Sequence, residues 1–185
     1  MTLPQVAADT VIATTNLCLR RPSRDDVGSI AALASEWEVA KQTGRIPHPY
    51  NAIDAEQWLT SVMGDDGEEM AFVITLVESH SVVGAIGLAP AHIGEGIELG
   101  FWIGKPYWGR GYATEAVSAL LRHAFDDLGL THIVAGAFRE NRASRRVLEK
   151  VGFEKTSVAE MNWPHRGGHR DIQRYAITRE LVQAA

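Results

Sequence analysis

Apolar residues recur along this chain at two different spacings, and the switch between them marks its elements. Leu17-Cys18-Leu19-Arg20 alternates with a period of two and predicts a short strand, stopped by Pro22-Ser23. Ser23 and Asp26 are spaced as a capping box, so a helix should follow. Val27, Ile30, Leu33, Ala34 and Trp37 repeat at three and four residues, which predicts one core-facing stripe through about residue 40. Residues 41–53, KQTGRIPHPYNAI, hold Gly44, Pro47 and Pro49 and read as a loop, because proline removes donors and fixes φ. That loop is either plain connection or, through Arg45, His48 and Tyr50, a wall of a substrate cleft. Asp54 is placed to cap a second helix carrying Trp58, Leu59 and Val62, ending at the turn signal Gly64-Asp65-Asp66-Gly67. Residues 1–15 show no clear periodicity and read as a loose lead-in to a domain spanning 16–181.

The middle of the chain turns to strands. Runs at 71–77 and 81–89, the second interrupted by Gly84 and Gly87, flank a polar turn and predict an antiparallel hairpin. In 97–103, Ile97, Leu99, Phe101 and Ile103 face one way and Glu98, Gly100 and Trp102 the other. A helix over 111–128 follows, with Ala113, Ala116, Val117, Leu120, Ala124 and Leu128 on one stripe and Gly129 closing it. The apolar run 131–138 then completes a strand–helix–strand unit, which implies a parallel pair, a right-handed crossover and a ligand crevice at the strands' carboxyl ends. Asn141 should cap a short helix over 142–151, which Gly152 ends, and two last strands are expected at 156–163 and 171–178.

Composition narrows the partners. With 185 residues and 45% hydrophobic content, a single α/β domain with a real core is expected. A formal charge of −5 argues against a nucleic-acid footprint, although Arg139, Arg142, Arg145 and Arg146 form a cluster able to meet a small anion. Cys18 is the only cysteine, so neither a disulfide framework nor a cysteine-based zinc site is expected, and His165 and His169 lack metal spacing. The first residues do not read as a signal peptide and no long apolar run suggests a membrane span, which makes a cytoplasmic location the expectation.

The stretch from Tyr107 to Glu115, YWGRGYATE, is where candidate chemistry concentrates. A glycine-rich turn feeding a helix leaves the first helical N–H groups without partners, and the helix dipole favours negative charge there; the plain alternative is an ordinary strand-to-helix turn. Neither the dinucleotide-binding spacing nor the Gly-Lys-Ser/Thr of a P-loop accompanies these glycines.

Taken together, the residues from Ile97 to Phe153 resemble the GNAT acetyltransferase superfamily. Its signature Gln/Arg-x-x-Gly-x-Gly/Ala at the start of the long helix is matched by Trp108-Gly109-Arg110-Gly111-Tyr112-Ala113, with Trp108 as the one departure. YWGRGYATEA, NRASRRVLEKVGF and LRRPSRDD are similar to the branch that acetylates ribosomal-protein N-termini. The resemblance implies a single α+β domain: a mixed, mostly antiparallel sheet with a central splayed parallel pair, flanked by helices. It also implies acetyl-CoA as cosubstrate and an amine acceptor, either a peptide or protein N-terminus or a small molecule such as an amino acid or aminoglycoside, in a monomer or homodimer. No metal is implied, and an acyl-CoA-binding module without catalysis is the alternative.

Transfer from a thioester to an amine needs a clamp on CoA, a neutral amine, charge stabilisation at the thioester oxygen and a proton for the leaving thiolate. Backbone N–H groups from Gly109, Arg110, Gly111, Tyr112, Ala113 and Thr114 would hold the pyrophosphate, and the resemblance implies that the main chain of Phe101, Trp102 and Ile103 pairs with the pantetheine arm. An N–H of Trp102 or Ile103 would meet the developing charge. Two glutamates compete for the base: Glu98, beside Gly100 on an otherwise apolar strand, and Glu160, in AEMNW. Many relatives use a Tyr as acid where this chain has Leu148, so the resemblance moves that role to Ser144, with Asn141 orienting it or binding pantetheine; the plain alternative is a helix cap. Arg139, Arg142 and Arg145 either reach CoA phosphates or, for Arg145 with Glu149, form a surface pair.

Overall fold

The computed structural model describes Leu3, Ala7 and residues 9–63, 69–92 and 94–179. Eight strands form one sheet: β1 (Val11–Ala13), β2 (Leu17–Arg20), β3 (Met70–Leu76), β4 (Val82–Pro90), β5 (Ile97–Ile103), β6 (His132–Phe138), β7 (Glu154–Trp163) and β8 (Gly168–Thr178). Their order is β1-β2-β3-β4-β5-β6-β8-β7, and every neighbouring pair is antiparallel except β5 with β6. The helices are α1 (Val27–Ala34), α2 (Trp37–Ala40), α3 (Ala52–Met63), α4 (Tyr112–Arg122) and α5 (Arg142–Lys150). The main core lies between the sheet and α4, with Val117, Leu120 and Leu121 packed on Leu19, Phe72, Leu88, Ile97 and Ile133; a smaller cluster joins Ile30, Ala55 and Leu59 to Val73 and Val82. Helices therefore cover both faces, as an α/β arrangement requires.

Several local expectations are corrected. Val11–Ala13, within the stretch read as a loose lead-in, pairs with β2 as an edge strand. The single helix expected to about residue 40 is two, because Glu36 is extended (φ −61°, ψ 118°), and Trp37 leaves the core stripe with 47% exposure. Asn51, not Asp54, caps α3: its Oδ1 accepts the Ile53 N–H at 2.8 Å, while Asp54 reaches back to the Asn51 N–H at 2.8 Å as the other half of a capping box. The long helix closes through a π-helical turn at His123–Asp127. Gly84 and Gly87 do not interrupt β4; a Cβ at either would meet the backbone of a neighbouring strand within 2.4 Å, so their missing side chains let the strands close up. The turn signal at 64–67 lies outside the described residues.

Candidate active site

The parallel ladder between β5 and β6 holds only at Glu98–Val134 and Leu99–Ala135, and beyond these pairs β5 runs on without a partner on that side. The Gly104 N–H donates to Val83 O at 2.8 Å. By the alternation of an antiparallel ladder, the peptide groups of Trp102 then point to β4 and those of Phe101 and Ile103 point into the opening. The Ile103 carbonyl is already used, because the Trp108 indole N–H donates to it at 2.6 Å. The Phe101 N–H and carbonyl and the Ile103 N–H remain for a ligand strand; on this geometry Ile103, not Trp102, offers the N–H.

At the mouth of the opening the chain turns through Gly109 (φ +75°) and Gly111 (φ +81°), left-handed conformations that suit glycine. The first α-helical bond runs from the Glu115 N–H to Gly111 O at 3.0 Å, so the N–H groups of Tyr112, Ala113 and Thr114 have no carbonyl one turn back. Nothing lies within 4 Å of a Cβ built at Gly109 or Gly111. Arg110 is exposed, with its guanidinium near the Pro106 carbonyl at 3.4 Å. Glu115 locks the turn from behind: its carboxylate accepts from the Thr14 hydroxyl at 2.6 Å, the Asn16 N–H at 2.8 Å and the Asn16 amide at 3.0 Å. Burial pushes this carboxyl up, but the three hydrogen bonds outweigh it and hold it below the usual range.

Behind the opening lies a cavity of about 540 Å³ that Glu98, Asn141 and Ser144 line together. Glu98 Oε2 accepts the His92 N–H at 2.9 Å, and a Cβ at Gly136 would stand 3.3 Å from Oε1, so the carboxylate lies across a gap that a glycine leaves on β6. The buried Asn141 caps α5 through Oδ1, accepting the Ser144 N–H at 3.1 Å, while its amide donates to Ser144 Oγ at 2.8 Å. Cap and orienter are thus one residue, and because Ser144 Oγ accepts from Asn141 its own proton is left to donate. Leu148 is buried beside them.

Residues 16–154 match the family model described as an acetyltransferase (GNAT) domain. The chain is a GNAT acetyltransferase. It is 29% identical over 174 residues to an uncharacterized N-acetyltransferase, YoaA, of Bacillus subtilis, covering 91% of this chain and 97% of the relative. It is 34% identical over 80 residues to a protein of the same organism provisionally named a ribosomal N-acetyltransferase, YdaF, covering 43% of this chain and 44% of that one. Its fold is similar to that of Mycobacterium smegmatis RimJ in complex with CoA-disulfide, with a TM-score of 0.80, 23% identity and 94% and 88% of the two chains covered. The reaction of this acetyltransferase is therefore acetyl-CoA-dependent, and the unpaired β5 edge and glycine turn described above fit the cosubstrate's arm and phosphates.

The other residues with a candidate role in this acetyltransferase divide between the cavity and the surface. Glu160 is 65% exposed on β7, 3.4 Å from His169, and does not line the cavity. Arg139 pairs with Asp171 at 3.0 Å, and Arg145 donates to Arg139 O at 2.9 Å and to the buried Tyr175 hydroxyl at 3.3 Å, which in turn donates to Glu149 at 3.0 Å. The expected Arg145–Glu149 pair is thus bridged by Tyr175. Arg45 and Tyr50 line the cavity, whereas His48 packs on Trp37. Among the described residues no group of three or more His, Cys, Asp or Glu side chains could hold a metal ion.

Gly136 is not singled out by sequence, whereas Trp163 and Arg166 fall in the 163–169 loop, which together with 41–53 is expected to wall the acceptor side of this acetyltransferase. Arg166 is 5% exposed and donates to Thr43 O at 2.9 Å and to Ile46 O, pinning the 42–46 segment as a roof over the cavity. The Trp163 ring lies against Gly44, and the Asn141 amide also reaches Gln42 O at 3.4 Å. Arginine, tryptophan and glycine at these places carry no spacing signal; only an arginine flanked by Pro164 and Gly167 in a turn hints at a structural clamp.

Proposed function

We propose that this enzyme acetylates the α-amine of a peptide or protein by direct attack on the thioester, with Glu98 as base and Ser144 as acid. The observation that carries the reading is that Glu98, Asn141 and Ser144 line one cavity where β5 and β6 part. The amine loses its proton to Glu98, directly or through one water, as nitrogen bonds to the acetyl carbon. The carbon–sulfur bond breaks, the thiolate takes the Ser144 proton, and the Ser144 oxygen recovers one from the newly acylated nitrogen, directly or through water, which leaves a neutral amide. The Ile103 N–H faces the thioester oxygen, and the glycine turn and Phe101 hold CoA. An α-amine with a pKa near 7.7–8.0 is already partly neutral at pH 7 and asks less of a base than a lysine-like amine. The likeness to a provisionally named ribosomal N-acetyltransferase supports the choice of acceptor.

The test is a pH–rate profile. Glu98→Gln should lower kcat/KM on a peptide by about 100-fold at pH 7 and regain part of that loss as the free amine deprotonates in solution, with CoA affinity unchanged. A parent-like profile in Glu98→Gln with that loss in Glu160→Gln would transfer the base to Glu160.

A further inference from the structure

We infer that the acceptor subsite is built for an ammonium carried on a large apolar or aromatic body, so that on a peptide it selects the first residue for that character and rejects an acidic one. The inference rests on the reading of the Glu98 cavity as the acceptor site. Its first support is the wall beside the carboxylate. Trp163 stands edge-on to Phe138 at 5.9 Å between ring centroids and 5.4 Å from the His92 ring, and the main-chain N–H of the same His92 holds Glu98. The indole also meets the roof: a Cβ on Gly44 would come within 2.3 Å of it, so the ring lies flush on backbone that Arg166 clamps. Across the same cavity Tyr50 and Trp58 face in from the α3 side, packed on the smaller core. Burial and then the Asp54 charge push the Tyr50 phenol up to about 12, so it stays neutral. A ligand body between ring walls gains apolar burial and aromatic contact.

The second support is charge. Among the lining residues the carboxylates of Glu98, Asp54 and Glu69 face one guanidinium, Arg45, which stands 3.5 Å from Glu69, while Arg166 is held by roof carbonyls and Arg170 lies over the Phe138 ring at 4.8 Å. Glu98 and Asp54 are left without a cation among the lining residues. That balance favours an ammonium and opposes a second carboxylate on the acceptor, since a charge moved into a low-dielectric site without a partner is costly.

The experiment is acetylation of a peptide series that differs only in its first residue, Phe, Leu, Ala, Ser or Asp, with phenethylamine as a non-peptide acceptor. Phe and Leu peptides should exceed the Ala peptide by about 10-fold or more in kcat/KM, with the Asp peptide lowest. Trp163→Ala should bring the Phe-to-Ala ratio toward one while CoA affinity, measured by calorimetry, stays. Equal rates for Phe and Ala, or a preference for Ser or Asp, would overturn the inference and leave the peptide reading standing. Acetylation of phenethylamine with every peptide inert would overturn the peptide reading and leave the ring-walled subsite standing. If no acceptor turns over, calorimetric titration of phenethylamine into the CoA complex decides: no binding overturns the inference.

Discussion

At the scale of single residues, Glu115 shows how a side chain away from the cavity anchors the glycine turn. Its carboxylate sits one turn into α4 and gathers three donors from the β1–β2 turn, so the helix whose N-terminus carries the bare N–H groups is tied to the far edge of the sheet. Its folded pKa is depressed, so the bond network adds stability that is present above the unfolded carboxyl value of about 4.3 and fades as pH falls through the lower folded value. Thermal unfolding followed from pH 7 to pH 3 should therefore show a wild-type excess over Glu115→Gln that shrinks with acidification; a constant gap would mean that the charge is irrelevant. Trp108 makes a similar point. It occupies the place of a polar residue in the family signature, yet its indole N–H still reaches the Ile103 carbonyl and joins the glycine turn to the end of β5.

At the scale of elements, the turn and the strand pair each depend on a glycine, for different reasons. Gly111 has open space around it and a φ of +81°, so Val there is penalised by backbone conformation and by occupying space in front of the bare N–H groups, with no clash inside the protein. Gly111→Val should remain folded by circular dichroism and bind CoA at least about 10-fold more weakly, a loss near 1.4 kcal/mol; parent-like affinity would remove the cradle from this turn. Gly136 has a crowded setting: a Cβ would stand 3.1 Å from Ile172 Cγ2 and 3.3 Å from Glu98 Oε1. Gly136→Ala should displace the Glu98 carboxylate and lower kcat on any amine with CoA affinity retained, and an unchanged kcat would show that Glu98 has room to spare.

At the scale of the whole molecule, the cavity exists because distant segments meet over the splayed strands. Arg166 and the 42–46 segment are about 120 residues apart in the chain, and their hydrogen bonds close one side of the cavity. Arg166→Met should raise KM for the amine several-fold while CoA binding changes little; a parallel loss of CoA affinity would assign Arg166 to general stability instead. The strand and helix pattern from 97 to 152 was legible from sequence because period-two and period-3.6 apolar spacing, glycine turns and the Asn141 cap are local, and local signals survive without knowledge of the fold. The glycine turn and the candidacy of Glu98, Asn141 and Ser144 were legible for the same reason, aided by ordered motifs. Contacts between residues far apart in the chain place side chains that sequence leaves equivalent. The rival glutamates look alike in the chain, but β7 lies at the outer edge beyond β8 and turns Glu160 to solvent, whereas β5 stands at the centre and turns Glu98 into the cavity. The ring wall of Trp163, Phe138 and His92, the gap at Gly136 and the Arg166 clamp have no periodicity to announce them, because each is made by side chains that only the sheet order brings together.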